Sequence, residues 1–316
     1  MLGTTRFVYS QARAAAAELY HLHDPELIPV GLLLKLAGHR VVMDLHEDTP
    51  RQILDKPWIA PLLRRPAAWA MSAVEHVVLA AFDLVVAATP VIADRFPDRK
   101  TVIVQNFPDL AELGDEAAPP LSLRGPIAAY VGNVADTRGA REIVDAIGRV
   151  RCGDARLRIV GQLQPAELAD ELAEQPGWSR TTLTGFLDRA GVAEELNRAM
   201  VGLCTLHPTP AYLEAQPVKL YEYLSVGLPV VLSDFPRWRH IEREGCGLAV
   251  DPLDSRAIAE ALEWVFSHPD LAQEMGERGR RLVRDAFNWD VEAERLTRSY
   301  DRLLREPQRA RRRPER

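Results

Sequence analysis

Short β-branched runs alternate with longer segments of helical spacing along most of this chain, and no other feature narrows its fold as much. Residues 19–21, 40–45, 83–87 and 101–104 read as one set of strands. Residues 127–131, 157–160, 181–183, 201–205, 229–232 and 247–250 read as a second. Helical spacing fills 26–37, 140–150, 165–174, 192–200, 218–226 and 255–266. Near-continuous apolar strands joined by helices imply parallel sheets covered on both faces, so the fold class is α/β.

One break interrupts the alternation. Residues 109–124 (DLAELGDEAAPPLSLR) are polar and carry Pro119-Pro120, the composition of a linker. The expected division is a first Rossmann-like domain at 1–115, a second at 116–287, a helix at 288–305 that packs back on the first, and a basic tail at 306–316. The second domain reads as complete, with six strands each followed by a helix. The first has about four strands and opens on a helix-like segment, 7–19, where a doubly wound unit normally opens on a strand and a tight glycine turn. Neither GxGxxG nor GxxxxGK[ST] occurs, which counts against a dinucleotide oxidoreductase and a P-loop ATPase.

Composition removes other classes. A net charge of −6 over 316 residues gives no basic domain, so nucleic acid is not an expected partner. The arginine-rich end, Arg309 to Arg316, reads first as a solvated tail, with attraction to anionic lipid as the second reading. The three cysteines are odd in number, widely spaced and without a CxxC, which points to a reducing cytoplasm rather than to a disulfide framework. The longest apolar stretch, 67–88, is interrupted by Glu75, His76 and Asp83 and is too broken for a bilayer span.

Four constellations could carry chemistry. YHLHDPE (20–26) ends a strand and enters a helix, with Asp24 as the expected N-cap and Pro25 at the first helical position. MDLHEDTP (43–50) ends the next strand. Ligands of open α/β sheets sit beyond the carboxyl ends of strands, so His23, Asp24, His46, Glu47 and Asp48 should converge. His21 reads as a structural histidine. A zinc site from His21, His23 and His46 has usable donors, but no HExxH accompanies them, and the expected metal is none. YVGNVADTRG (130–139) runs from a strand end at Gly132 and Asn133 into a helix opened by Arg138 and Gly139, where amides and a guanidinium favour an anion. LEAQPVKLYEYLSVGLPVV (213–231) places Pro217 at a helix start and Lys219 in its first turn, where a cation opposes the helix dipole unless an anion binds. Glu214 and Glu222 flank that turn; a carboxylate can hold two hydroxyls of a sugar at once, and an i,i+3 pair of Lys219 with Glu222 is the alternative.

Taken together these motifs resemble the GT-B glycosyltransferases of the GT4 type, in a branch that builds bacterial surface polysaccharides. Glu214, Glu222, Gly227, Pro229, Val230 and Val231 are similar to that family's E-x7-E signature and the G-x-P-V-V that ends it. GCGLAVDPLDSRAIAEAL (245–262) resembles the family's next strand and helix, and TVIVQNFPDL (101–110) resembles the interdomain crossing. HDPELIPVGLLLK and VVMDLHED look like the polysaccharide branch. The resemblance spans about Leu19 to Leu304.

The resemblance implies two Rossmann-like domains facing a cleft, and retaining, metal-independent transfer from a UDP- or GDP-linked sugar, used as substrate with no separate cofactor, to a glycan or lipid-linked acceptor. Glu222 would hold the donor ribose and Glu214 the transferred sugar. Arg138 and Lys219 would hold the diphosphate, with the amides of Val218, Lys219 and Leu220. Gly132, Asn133, Gly139 and Gly161 would line the donor loops. The loop carrying Phe186 and Leu187 would meet the base. His46 would lie near donor sugar and acceptor, and His23, Asp24, Glu47 and Asp48 on the acceptor side. The sequence departs from the family at Asn133, where many members carry Arg, and after Gly161, where the second glycine of G-x-G is absent. It also lacks the family's first strand and glycine-rich loop, a shortfall of roughly 70–90 residues at the size of two βα units. The N-terminal domain is thus expected to be incomplete. The second reading is therefore a nucleotide-sugar-binding remnant that lacks this piece or takes it from a partner chain or second copy covering the open sheet edge. Localisation is expected to be cytoplasmic, with room for a peripheral contact at the inner face of a membrane.

Overall fold

The computed structural model describes residues 2–56, 58–113 and 118–306. The expected tail beyond 306 lies outside the described residues. The chain divides into two compact units. Unit 1 holds the residues up to Gln105 together with those from Glu292 onward, and unit 2 is Asn106–Val291.

Unit 1 is built on a four-stranded parallel sheet in sequential order: β1 (Leu19–His23), β2 (Arg40–Leu45), β3 (Leu84–Ala87) and β4 (Thr101–Ile103). Helices α1 (Leu2–Ala15), α2 (Ile28–Leu36), α3 (Thr49–Asp55) and α4 (Pro61–Leu79) lie before and between the strands. Successive strand side chains point to opposite faces, and here each face has its own core. Tyr20, Leu22, Val41, Met43, Leu45, Val85 and Ala87 join one cluster with Val30, Leu34, Leu79 and Phe82. Val42, Leu84, Val86 and Val104 form the other, closed by Leu296, Tyr300 and Leu303 of the terminal helix Trp289–Arg305. That helix thus covers the second face of the unit 1 sheet, and the buried Glu292 carboxylate accepts the Gln105 amide at 3.1 Å.

Unit 2 is a six-stranded parallel sheet of order β10-β9-β8-β5-β6-β7. Its strands are β5 (Ile127–Val131), β6 (Arg156–Val160), β7 (Thr181–Gly185), β8 (Val201–Cys204), β9 (Val230–Ser233) and β10 (Gly247–Val250). The helices used below are α5 (Ala140–Arg149), α6 (Arg189–Arg198), α7 (Val218–Ser225), α8 (Ser255–Ser267) and α9 (Pro269–Ala286). Strand order reverses between β5 and β8, which makes the crevice beyond their carboxyl ends the topological switch point where such sheets take ligands.

The structure corrects several boundaries. The units part at Gln105/Asn106 rather than at 115, because Phe107 anchors the crossing segment in the unit 2 core, 4.8 Å from the Tyr221 ring and 5.2 Å from the Phe287 ring. Helices α3 and α4 occupy a stretch in which the sequence showed no helix. Pro217 precedes α7 as its N-cap instead of opening it. Helix α6 begins at Arg189, three residues earlier than the apolar spacing suggests, because the Asp188 carboxylate accepts the Gly191 amide at 2.9 Å and caps it. Asp24 stands at an N-cap position, but its side chain makes no capping bond, and the helical element it precedes is a single 3-10 turn, Pro25–Leu27.

Candidate functional site

The switch point of unit 2 gathers the residues read from the third and fourth constellations, 130–139 and 213–231. After β5 the chain turns at Gly132 and passes through a 3-10 turn, Asp136–Arg138, into α5. Gly139 joins them with φ 81°, and a Cβ there would sit 2.3 Å from the Thr205 carbonyl, so any other residue would push the loop off β8. Gly161, at the end of β6, has φ 150° and would bring a Cβ within 2.2 Å of the Gly132 carbonyl. The two loops can therefore touch only through glycine. Arg138 is held across this floor, donating to the Asn133 carbonyl at 3.1 Å and to the Tyr212 hydroxyl at 3.3 Å.

Lys219, in the first turn of α7, reaches the same place. Its ammonium lies 3.7 Å from the centroid of the Tyr130 ring, and its Nζ is buried without a hydrogen-bond partner. Burial is the main force on it and pushes its pKa down to about 8. The neighbouring Cys204 thiol is itself pushed up to about 11 by burial, so it offers no negative charge, and Arg138 adds a second positive one. The π-face of Tyr130 is a weak substitute for an anion, worth ~0.5–2 kcal/mol. Val218 and Lys219 supply the first amides of α7, which no helical carbonyl satisfies, whereas the Leu220 amide already donates to the Pro217 carbonyl at 3.1 Å.

The two glutamates differ sharply. Glu222 is buried, and its Oε1 accepts from Arg189 at 2.7 Å; Arg189 also pairs with Glu112 at 2.6 Å. The i,i+3 pair of Lys219 with Glu222 does not form. Glu214 ends the short helix Pro210–Leu213 and makes no side-chain hydrogen bond or ion pair among the described residues. Leu187 packs against the unit 2 core, while Phe186 is 83% exposed at the end of β7.

Unit 1 carries a second gathering of polar groups at the ends of β1 and β2. His23 Nδ1 and His46 Nε2 are 3.0 Å apart, and their rings stack. Burial and the neighbouring His21 hold the His23 imidazole below its ordinary pKa. Asp24 has φ 71°, a costly conformation for a residue other than glycine. Glu47 accepts from Gln52. Asp48 caps α3 by accepting the Arg51 amide at 3.3 Å, and it pairs with Arg95 at 3.3 Å. These two acidic residues thus have partners within the unit.

Residues 115–282, more than half of the chain, match the family described as glycosyl transferases group 1. The chain belongs to this family. It is similar to an alpha-maltose-1-phosphate synthase of Mycolicibacterium smegmatis, with 26% identity over 92% of this chain and 80% of that protein. It is similar as well to a phosphatidyl-myo-inositol mannosyltransferase of Mycobacterium leprae, with 26% identity over 90% of this chain and 73% of that protein. Among solved structures, the sucrose-phosphate synthase of Thermosynechococcus elongatus superposes with a TM-score of 0.76 at 20% identity, covering 95% of this chain and 77% of that one. The Anabaena HepE, solved in complex with UDP, superposes with a TM-score of 0.75 at 14% identity, covering 94% and 82%. The group 1 glycosyl transferase fold here is of the GT-B type, two α/β units each with its own parallel sheet.

Five residues with a part in these sites escaped the sequence: Tyr130 beneath Lys219, Tyr212 on Arg138, Arg189 on Glu222, and Asp44 and Tyr300 beside the histidines. Asp44 carried a usable signal, since it lies two residues before His46 and so on the same face of the strand. Arg189 carried none.

Proposed function

We propose that this group 1 glycosyl transferase takes a UDP- or GDP-linked sugar at the switch point of unit 2 and passes it to a glycan or lipid-linked acceptor with retention of configuration, as a GT4-type enzyme. The observation that carries this reading is the buried, unpartnered ammonium of Lys219 beside Arg138 and the open amides of α7. Such an arrangement costs stability in the free protein and is relieved by a dianionic ligand. A diphosphate meets that need. As the bond from sugar to phosphate breaks, negative charge grows on the leaving oxygen, and fixed donors already aimed at it stabilise that charge without reorganising. The leaving oxygen can itself take the proton of the incoming hydroxyl, so no protein nucleophile is required.

In this reading Glu222 binds the donor ribose after exchanging its Arg189 contact for the two ribose hydroxyls. Glu214, without a partner, holds the transferred sugar, and exposed Phe186 offers a face to the base. Gly132, Asn133, Gly139 and Gly161 shape the floor. His23, Asp24 and His46 of unit 1 serve the acceptor.

A lipid-linked acceptor has support on unit 1. Trp58, Leu62, Leu63 and Trp69 are 74%, 91%, 60% and 75% exposed in and just before α4, interleaved with Arg64 and Arg65. Aromatic and basic side chains on one helix are suited to an anionic lipid surface. No helix among the described residues is long and apolar enough to cross a membrane. A transfer assay with a panel of UDP- and GDP-sugars tests the activity. Sugar released or transferred from one of them supports it, and nucleotide binding without turnover on any donor leaves a nucleotide-sugar-binding protein instead.

A further inference from the structure

We infer that His21, His23 and Asp44 of unit 1 form a binding site for one divalent transition-metal ion, with Zn2+ the best match to their donors. The inference does not depend on the nucleotide reading of unit 2. It rests on strand geometry. His21 and His23 are two residues apart on β1 and so share a face, and parallel pairing sets His23 beside Asp44 of β2. That face is apolar toward the strand starts, at Leu19 and Val42, and turns to imidazole and carboxylate only at the carboxyl ends.

One ligand atom from each of His21, His23 and Asp44 lies within 4.8 Å of the other two. His21 Nε2 is 3.3 Å and His23 Nδ1 is 3.4 Å from Asp44 Oδ2. These separations are long for hydrogen bonds. They match the edge of a tetrahedron around a Zn2+ ion, about 3.3–3.4 Å when the metal–ligand bonds are about 2.0–2.1 Å.

Three further features point to an ion rather than to protons. His21 Nε2 is buried without a hydrogen-bond partner, while its Nδ1 is bonded to the Tyr300 hydroxyl of the terminal helix. A ring whose far nitrogen is fixed by a second group, leaving the near one free, is the usual presentation of a metal-binding histidine. The Asp44 side chain is only 11% exposed, and among the described residues its ion-pair partners are His21, His23 and His46 alone, so no lysine or arginine balances it. The donor set, two imidazoles and a carboxylate, suits Zn2+ better than the all-oxygen shells of Mg2+ or Ca2+.

Three protein ligands leave a fourth position open, the pattern of a site that admits an exogenous oxygen. His46 borders it, with Nε2 3.6 Å from Asp44 Oδ2 and 3.0 Å from His23 Nδ1, a contact that an ion on His23 Nδ1 would replace. The class of molecule completing the shell is water, a sugar hydroxyl or a phosphate oxygen.

The test is calorimetric titration of Zn2+ into the metal-stripped full chain at neutral pH, with Co2+ as a spectroscopic probe. The expected result is one saturable equivalent per chain and the intense visible bands of tetrahedral Co2+. His23→Ala removes a half-exposed ring that the fold does not need, and with Asp44→Asn it is expected to weaken binding at least tenfold. Tyr300→Phe is expected to weaken it by about tenfold through the orientation of His21. His268→Ala, on the surface of unit 2, serves as the control and leaves binding unchanged. Absence of a saturable equivalent, or His23→Ala and Asp44→Asn titrating like the parent chain, overturns the inference.

Discussion

The ammonium of Lys219 rests 3.7 Å from the centroid of the Tyr130 ring, buried and without a hydrogen-bond acceptor. A charge held this way weakens the free fold and strengthens the grip on an anion. Lys219→Met is therefore expected to raise the stability of the protein in urea while weakening UDP or GDP binding ~10–100-fold, the worth of one or two charge-assisted bonds. The same group sets a pH dependence. In the proposed site its ammonium faces the diphosphate, and on that reading nucleotide affinity should be highest below pH 8 and fall as pH rises through about 8. Stability runs the other way. Because the folded pKa of about 8 lies below the ordinary 10.5, the unfolded chain binds more protons in that window, and this group makes the fold more stable as pH rises through it. Titrations of nucleotide at several pH values, on parent and Lys219→Met, check both signs; the variant should lose the step near 8.

Arg189 balances the buried carboxylate of Glu222 but is itself half exposed. Removing it leaves Glu222 unpaired, with partial access to water, so Arg189→Ala should cost about 1–3 kcal/mol, between the values for surface and buried pairs. If Glu222 changes partner on binding ribose, nucleotide affinity in that variant stays within a few-fold of the parent or improves. Urea denaturation and nucleotide titration on one preparation read the two effects separately.

In unit 1 the fully buried Glu75 depends on Arg95, which also pairs with Asp48. Burial already raises the Glu75 pKa above its ordinary 4.5, and Arg95 opposes that rise. Without the guanidinium the folded pKa rises further. A raised carboxyl pKa contributes stability that is complete below the unfolded value and lost as pH rises through the folded one. Arg95→Ala should therefore lose about 3–5 kcal/mol at neutral pH and recover part of it on acidification toward 4.5, as seen by urea melts across that range.

The apolar face of α4 predicts binding to vesicles. Trp69→Ser with Leu62→Ser, both at exposed positions, should leave folding intact and reduce co-sedimentation with vesicles containing anionic lipid several-fold. Equal sedimentation of variant and parent would remove the lipid surface as a partner of this helix.

The strands were legible because parallel strands buried on both faces read as continuous apolar runs, and β2, β5 and β10 keep the bounds that the sequence suggested. Helices α3 and α4 were not, because Pro50, Pro57, Pro61 and Pro66 break up the helical spacing of that stretch. Pro50 and Pro61 instead fall at helix starts, where the absent N–H is no loss. Arg138 could be picked out between a strand end and a helix start and Lys219 in a first helical turn, while Glu214 and Glu222 stood out by their E-x7-E spacing around that turn. Their partners could not. Tyr130 meets Lys219 from β5, on the far side of β8 from β9, the strand after α7, and Arg189 meets Glu222 from a separate helix; neither proximity exists until the strand order is known. The histidine cluster shows the same limit. His21 and His23 share a face by period alone, but parallel register is what brings in Asp44, and only the return of the terminal helix brings in Tyr300.

Calorimetric titration of UDP and GDP into the full chain, its Glu222→Ala variant and its Lys219→Met variant tests the donor site of unit 2. One saturable site is expected for at least one of the two nucleotides, with no measurable binding in Glu222→Ala and binding weakened ~10–100-fold in Lys219→Met. Affinity for that nucleotide unchanged in both variants would contradict that assignment.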